Sequence, residues 1–210
     1  MPILNKIASA LGRNDEQPNI ELAEQLVNTQ DKESIAEIVS GLRMDKAVAS
    51  DCIKILYEIG GRKPELIAPY AENFIGLLNS KDNRLVWGAM TALGRIAELN
   101  PAPVYLHFED IYAAYKKGSV ITVDNSISVF AALCKADKEY EKRILPLLIA
   151  HLTKCRAKEI PQHLTRMSVC FNKNNIVQIE STIQDRFEEL SGSQQTRVRK
   201  TVSSALNGGP

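Results

Sequence analysis

Through most of this chain apolar residues recur at i, i+3 or i+4, and i+7, the spacing that gathers side chains on one helical face and does not suit a strand of period two. The pattern also repeats at long range. Residues 45–60 lie over residues 82–97 at an offset of 37, and Pro64 then falls over Pro101. Two further steps of 37 align Cys52, Ala89, Ser126 and His163. The same steps align Ile53, Met90, Ile127 and Leu164, then Leu56, Leu93, Phe130 and Met167, then Ile59, Ile96, Leu133 and Cys170. Apart from His163, the first set is small; the other three are large or core-forming. A last, shifted copy carries Val198, Val202, Ala205 and Leu206.

Between these copies lie further helical patterns, Glu65 to Leu78, Ala102 to Lys116, Asp137 to Lys154 and Asn174 to Leu190, so each repeat is predicted to be a helical hairpin. The punctuation agrees: Pro64 and Pro101 stand near helix starts, Asp82 and Ser119 are N-caps, and Gly60, Gly118 and Gly192 stand near helix ends. Ahead of the array, Pro18 to Asn28 and Lys32 to Arg43 read as two more helices. Ile3 to Leu11 reads as a short amphipathic helix capping the open face of the first repeat, as the ends of a repeat stack require.

A period near 40, a second helix reading Ala-x-x-x-Leu-Gly-x-Ile-Ala at Ala89 to Ala97, and proline near first-helix starts together resemble the HEAT-repeat family of armadillo-like proteins. The resemblance covers residues 31–206 and departs from the common form at Asn83-Arg84, Val120-Ile121 and Ala157-Lys158, where a Val-Arg pair often opens the second helix. The expected fold is all-α: a right-handed α-solenoid of about five helical hairpins of period 37, with an N-terminal capping helix. It forms a single domain over 1–206, with cap helices in 1–30, repeats in 31–206 and a disordered tail at 207–210.

The resemblance implies that second helices line the concave side, so their outward positions carry recognition. On 82–97 the core face takes Val86, Ala89, Met90, Leu93 and Ile96, which leaves Arg84, Trp87, Thr91 and Arg95 on the opposite stripe. Lys54 precedes this stripe, one repeat back, and Asp124 and Ser128 follow it, one repeat on. An outward tryptophan flanked by arginines can anchor a partner, since Trp and Arg are enriched at interface hot spots. The plainer alternative has Trp87 folded against neighbouring side chains to fill a groove.

Charge sharpens this only a little. Residues 1–109 carry 11 basic and 15 acidic side chains, net −4, and residues 110–210 carry 15 and 10, net +5. The later basic residues, such as Lys138, Lys142, Arg143 and Arg156, are interleaved with Glu139, Glu141 and Glu159, the pattern of a solvated face more than of a nucleic-acid groove. A protein or peptide partner is therefore expected before nucleic acid. A DNA glycosylase of the alkylation-repair type is the alternative, because some HEAT-like proteins are such enzymes and Trp87 and Asp124 occupy equivalent positions in adjacent repeats. Against it, there is no second tryptophan, and Thr91 rather than an acid follows Trp87 by one turn.

No phosphate-binding loop, dinucleotide-binding turn, nucleophile elbow or His-Glu-x-x-His helix occurs, so no enzyme activity and no cofactor are expected. His151 and Cys155 stand one helical turn apart, with His163 and Cys170 in the next helix, and four such ligands hold zinc in principle. Structural zinc sites usually show close ligand pairs in turns, however, and Cys170 sits at a core position, so no metal is expected. The four cysteines lie inside apolar helical patterns and suit reduced thiols. No apolar run approaches membrane-spanning length and the N-terminus lacks a signal peptide, so a cytoplasmic location is expected.

Overall fold

The computed structural model describes residues 2–206; the expected tail, Asn207 to Pro210, lies outside them. Among the described residues every regular element is helical. The α-helices are α1 (Gln17–Thr29), α2 (Lys32–Gly41), α3 (Lys46–Arg62), α4 (Ala71–Leu77), α5 (Asn83–Ile96), α6 (Pro101–Leu106), α7 (Phe108–Lys117), α8 (Val120–Ala136), α9 (Lys138–Lys154), α10 (Ile160–Met167), α11 (Ile176–Gln184) and α12 (Gly192–Leu206). The chain forms two compact units, dividing between Ser126 and Ile127 within α8.

The second helices of the repeats are α3, α5, α8, α10 and α12. They start at residues 46, 83, 120, 160 and 192, so the period of 37 is strict for three copies and then slips to 40 and 32. The apolar register survives the slip. Ile53, Met90, Ile127 and Leu164 have no exposed surface, as do Leu56, Leu93 and Met167, and Phe130 has 1%. Each wholly buried aliphatic side chain contributes about 1.5–3 kcal/mol of apolar burial, so these positions supply core to each unit. The expected caps also form: Asp82 accepts from the Arg84 amide at 2.9 Å, and Ser119 Oγ from the Thr122 amide at 3.4 Å. Asp45 and Asp137 cap α3 and α9 in the same way.

In the first unit α3 packs on α1, α2 and α5, and α4 packs on α5 and α6. Helices α3 and α5 approach closely at Gly88, where a Cβ would meet Ile53 Cγ1 at 2.7 Å. Gly60 does not end α3, which continues to Arg62. A Cβ there would meet Ile67 Cδ1 at 2.6 Å, so the glycine serves close packing. In the second unit α9 packs on α10 and α11, and α12 packs on α10 and α11.

The expected first helices are more broken than their apolar stripes suggest. Glu65 to Leu78 is two short 3-10 turns, Pro64–Leu66 and Ala68–Tyr70, ahead of α4, because Pro69 has no amide to donate and resists an interior helical position. Ala102 to Lys116 divides into α6 and α7 at His107, whose backbone leaves the helical region and whose ring nitrogens stand 3.2 Å from Glu72 and 3.3 Å from Asp110. Asn174 to Leu190 is α11 followed by a 3-10 turn at Phe187–Glu189. Helix α9 runs unbroken through Pro146.

The N-terminal cap also differs from the helix expected over Ile3 to Leu11. It is a 3-10 turn, Ile3–Lys6, followed by irregular turns that end at Gly12 with φ +67°, and Leu11 is exposed. Ile3, Ile7 and Ala8 are buried, but polar groups fix the segment. Wholly buried Asn19 accepts from the Ala8 amide at 2.9 Å and donates to Asp51 at 2.7 Å, and Asp51 also accepts from the Ser9 amide at 2.7 Å. A short segment with few helical bonds needs such partners to place its amides away from water.

Candidate protein-binding site

Helices α3 and α5 present Lys54, Tyr57 and Glu58, and Arg84, Trp87, Thr91 and Arg95, on the side away from their Ile53–Leu93 core rows. The Tyr57 and Trp87 rings meet at 5.7 Å between centroids, tilted by 46°. The Arg84 guanidinium lies 5.4 Å from the Trp87 ring, and Lys54 Nζ lies 4.9 Å from the Tyr57 ring. Two aromatic faces, each with a cation beside it, form one amphipathic platform.

Glu16, in the loop before α1, ties this platform together. Its carboxylate pairs with Arg84 and lies 3.1 Å from Lys54 Nζ. Lys54 also donates to Glu58 at 2.7 Å, and Arg62 donates to the second Glu58 oxygen at 2.6 Å. Burial opposes the charge on each carboxylate, but the cations outweigh it and hold Glu16 and Glu58 below the usual glutamate range. Burial likewise opposes the Lys54 ammonium, and its two carboxylates reverse this, holding it above the usual lysine range. Burial raises Tyr57. Near neutral pH both carboxylates are therefore charged and Lys54 is protonated, so the arrangement presents fixed, mutually paired charges beside the two rings.

The expected recognition residues separate on inspection. Trp87 is half-buried: it leans on Tyr57 and keeps part of its ring exposed, which combines the anchor and the groove-filling alternatives. Lys54 corrects the expectation of an outward cation. It is 7% exposed, and a buried charge is stable only when it is paired, as Glu16 and Glu58 pair this one. Thr91 is internal to the stripe, donating to the Trp87 carbonyl at 2.8 Å and accepting from Asn125 of α8 at 3.0 Å. Arg95 is exposed, and its stem rests against Gly60. Asp124 is half-buried on α8. Ser128 belongs to the second unit, where its hydroxyl accepts from Arg166 at 2.8 Å.

Glu16 and Tyr57 escaped the sequence reading. Tyr57 lies between stripe and core, at a register position held by Gly94 in the next repeat, so periodicity gave no signal for it. Glu16 lies in a loop outside the repeat, 68 residues from Arg84.

The fold has known counterparts. An engineered protein is 18% identical, covering 100% of this chain and 98% of that one with a TM-score of 0.64. A designed armadillo repeat protein in complex with the peptide (KR)4 is 14% identical over 89% and 85% with a TM-score of 0.65. A computationally designed armadillo repeat protein for modular peptide recognition is 13% identical over 99% and 98% with a TM-score of 0.63. No family model matches the sequence, and no curated protein matches it. The chain therefore has the armadillo-like helical-repeat solenoid fold. Among the described residues no helix is long and apolar enough to cross a membrane.

Proposed function

We propose that this chain is a non-catalytic, cytoplasmic interaction scaffold that binds a protein or peptide partner on the outward side of α3 and α5, with Trp87 as the anchor. The observation that carries this is the Tyr57–Trp87 pair held under Arg84, a half-exposed aromatic platform already ordered by Glu16 before any partner arrives. Preorganised aromatic surface loses little conformational freedom on binding and so converts a large share of its contact into affinity. Exposed Arg95 extends the platform along α5, and Asp124 follows on α8. The designed armadillo protein above is in complex with the peptide (KR)4; here exposed Arg95 on α5 favours a partner segment with an apolar side chain beside a carboxylate. Burial of Cys52, Cys134 and Cys170 as thiols within the helical core supports a reducing compartment.

A short-peptide array probed with wild type, Trp87→Ala and Arg95→Ala tests this reading. The bound set for the wild type should be enriched in acidic-apolar peptides. Trp87→Ala should raise their Kd by about thirtyfold, the effect of a hot spot of about 2 kcal/mol, and Arg95→Ala by less. Unchanged peptide binding by Trp87→Ala overturns the assignment. So does binding of duplex DNA with a steep salt dependence in place of peptide, which moves the repair-enzyme alternative forward.

A further inference from the structure

In the second unit, the last turn of α9 and the body of α10 bring three metal-ligating side chains to one point. His151 Nε2 lies 2.8 Å from His163 Nδ1, and these nitrogens and Cys155 Sγ all lie within 4.8 Å of one another. We propose that His151, Cys155 and His163 form a binding site for a borderline-soft transition-metal ion of the zinc class, leaving one coordination position for water or a ligand from outside the chain.

The donor set matches that ion. Zinc accepts imidazole nitrogen at about 2.0–2.1 Å and thiolate at about 2.3 Å, which in a tetrahedron separates two nitrogens by about 3.3 Å and nitrogen from sulfur by about 3.6 Å. The two histidine nitrogens need to part by only about half an ångström to reach this geometry. Two of the three ligands lie four residues apart, His151 in the last turn of α9 and Cys155 just past its end, and the third comes from α10 across the short turn Ala157–Glu159. That turn is itself fixed by Arg156 and Glu159, whose side chain also accepts from the Arg156 amide.

His163 makes the strongest case. Its register counterparts are Cys52, Ala89 and Ser126, all small, yet an imidazole with no exposed surface occupies this slot. A small residue would satisfy the repeat, whereas this slot brings an imidazole nitrogen against His151. Cys170, whose core position argued against a four-ligand site, points elsewhere: its thiol donates to the Met167 carbonyl at 3.1 Å. Removing it leaves a coherent three-ligand set, the arrangement of zinc sites with an open position.

The charges nearby permit a cation. Arg186 Nη1 is 4.0 Å from Cys155 Sγ, but its guanidinium is paired twice with Glu189, at 2.9 and 2.6 Å. That same nitrogen donates to the Leu152 and Cys155 carbonyls at 2.8 and 2.7 Å, so the guanidinium steadies the end of α9. Burial holds the Cys155 thiol above its usual range. Binding would form one metal–sulfur and two metal–nitrogen bonds and release the thiol proton. A proton carried on either facing histidine nitrogen would move to the outer nitrogen of its own ring.

The full chain, stripped with a chelator and dialysed, is titrated with Co2+ as a spectroscopic probe and then with Zn2+. One ion per chain is expected, with the intense visible bands of tetrahedral cobalt, a thiolate charge-transfer band, and displacement by Zn2+. Cys155→Ser should lose the charge-transfer band and weaken binding by about tenfold or more, since even outer-shell changes cost about that much. Zn2+ should also protect Cys155 of the wild type from alkylation, a readout that holds if the variant fails to fold. Absence of stoichiometric uptake, a cobalt spectrum without the thiolate band, equal binding by a folded Cys155→Ser, or undiminished alkylation of Cys155 each overturns the site.

Discussion

Helices α3 and α5 meet through a glycine, whereas α9 and α10 meet through two histidines. In the first pair the repeat runs strictly at 37 residues, Gly88 lets the helices close on Ile53, and charges collect on the outward side, where Glu16 joins Lys54 to Arg84. In the second pair, where α10 follows α8 at 40 residues instead of 37, the polar groups turn inward as His151 against His163. Helix α10 keeps the apolar register of α3 and α5, and the two pairs differ in where polarity goes. The register therefore dictates which positions face inward without dictating their chemistry, and chemistry enters where a polar side chain takes a small core slot.

If that common register holds, deleting equivalent large side chains should cost the two regions alike. Leu93 on α5 and Met167 on α10 are register equivalents, both without exposed surface. Leu93→Ala and Met167→Ala should each destabilise by about 2–5 kcal/mol through lost burial and the cavity left behind, read as a fall in the urea midpoint. A loss at Met167 below about 1 kcal/mol would break the comparison, because the α9–α10 region would then not rest on the repeat core.

Gly88 is specific to the first pair. Gly88→Ala pushes a methyl into Ile53 and should cost about 1–3 kcal/mol by overpacking. Ile53→Ala costs stability alone but makes room, so the double variant should be more stable than the sum of the single effects predicts. Additive effects would mean that α3 and α5 are held apart by something other than the Gly88–Ile53 contact.

Most of the second-helix core was legible in the sequence, because a register of large residues at fixed intervals leaves one solution for the buried face. Ile53, Leu93, Leu164 and Val198 all lie where it puts them. The first helices were less legible, since an apolar stripe survives a break: Pro69 and His107 interrupt it without disturbing its spacing. Position 88 shows why polar contacts resist such reading. Its register equivalents are Asp51 and Asn125, of which Asp51 holds the N-terminal segment through Asn19, and Asn125 bonds Thr91. One position of the repeat thus serves three contacts, each decided by the element opposite. For the same reason Trp87 could be placed on the outward stripe while its support, Glu16, could not: an ion pair spanning 68 residues leaves no local trace.

That span supplies the smallest expected effect. In the second unit the paired residues of Arg156–Glu159 and Arg186–Glu189 are three residues apart, while Glu16–Arg84 joins a loop to α5. The folded pKa of Glu16 lies below its ordinary 4.5, so its stabilisation is present in full above about pH 4.5 and is lost as pH falls through the lower folded value. Glu16→Gln imitates the protonated carboxyl. It should cost no more than about 1 kcal/mol at neutral pH, because the Glu16 side chain is 43% exposed and solvent screens the pair. The gap between wild type and variant should close as the pH is lowered and shrink with added salt. Glu189→Gln should behave similarly toward acid, since Arg186 holds Glu189 low as well. Only Glu16→Gln should also loosen the Trp87 platform, read as a change in tryptophan emission, because Arg84 is the link between that carboxylate and the ring. An unchanged emission would mean that Tyr57 alone positions Trp87, and the difference between the long-range and local pairs would have no bearing on the binding surface.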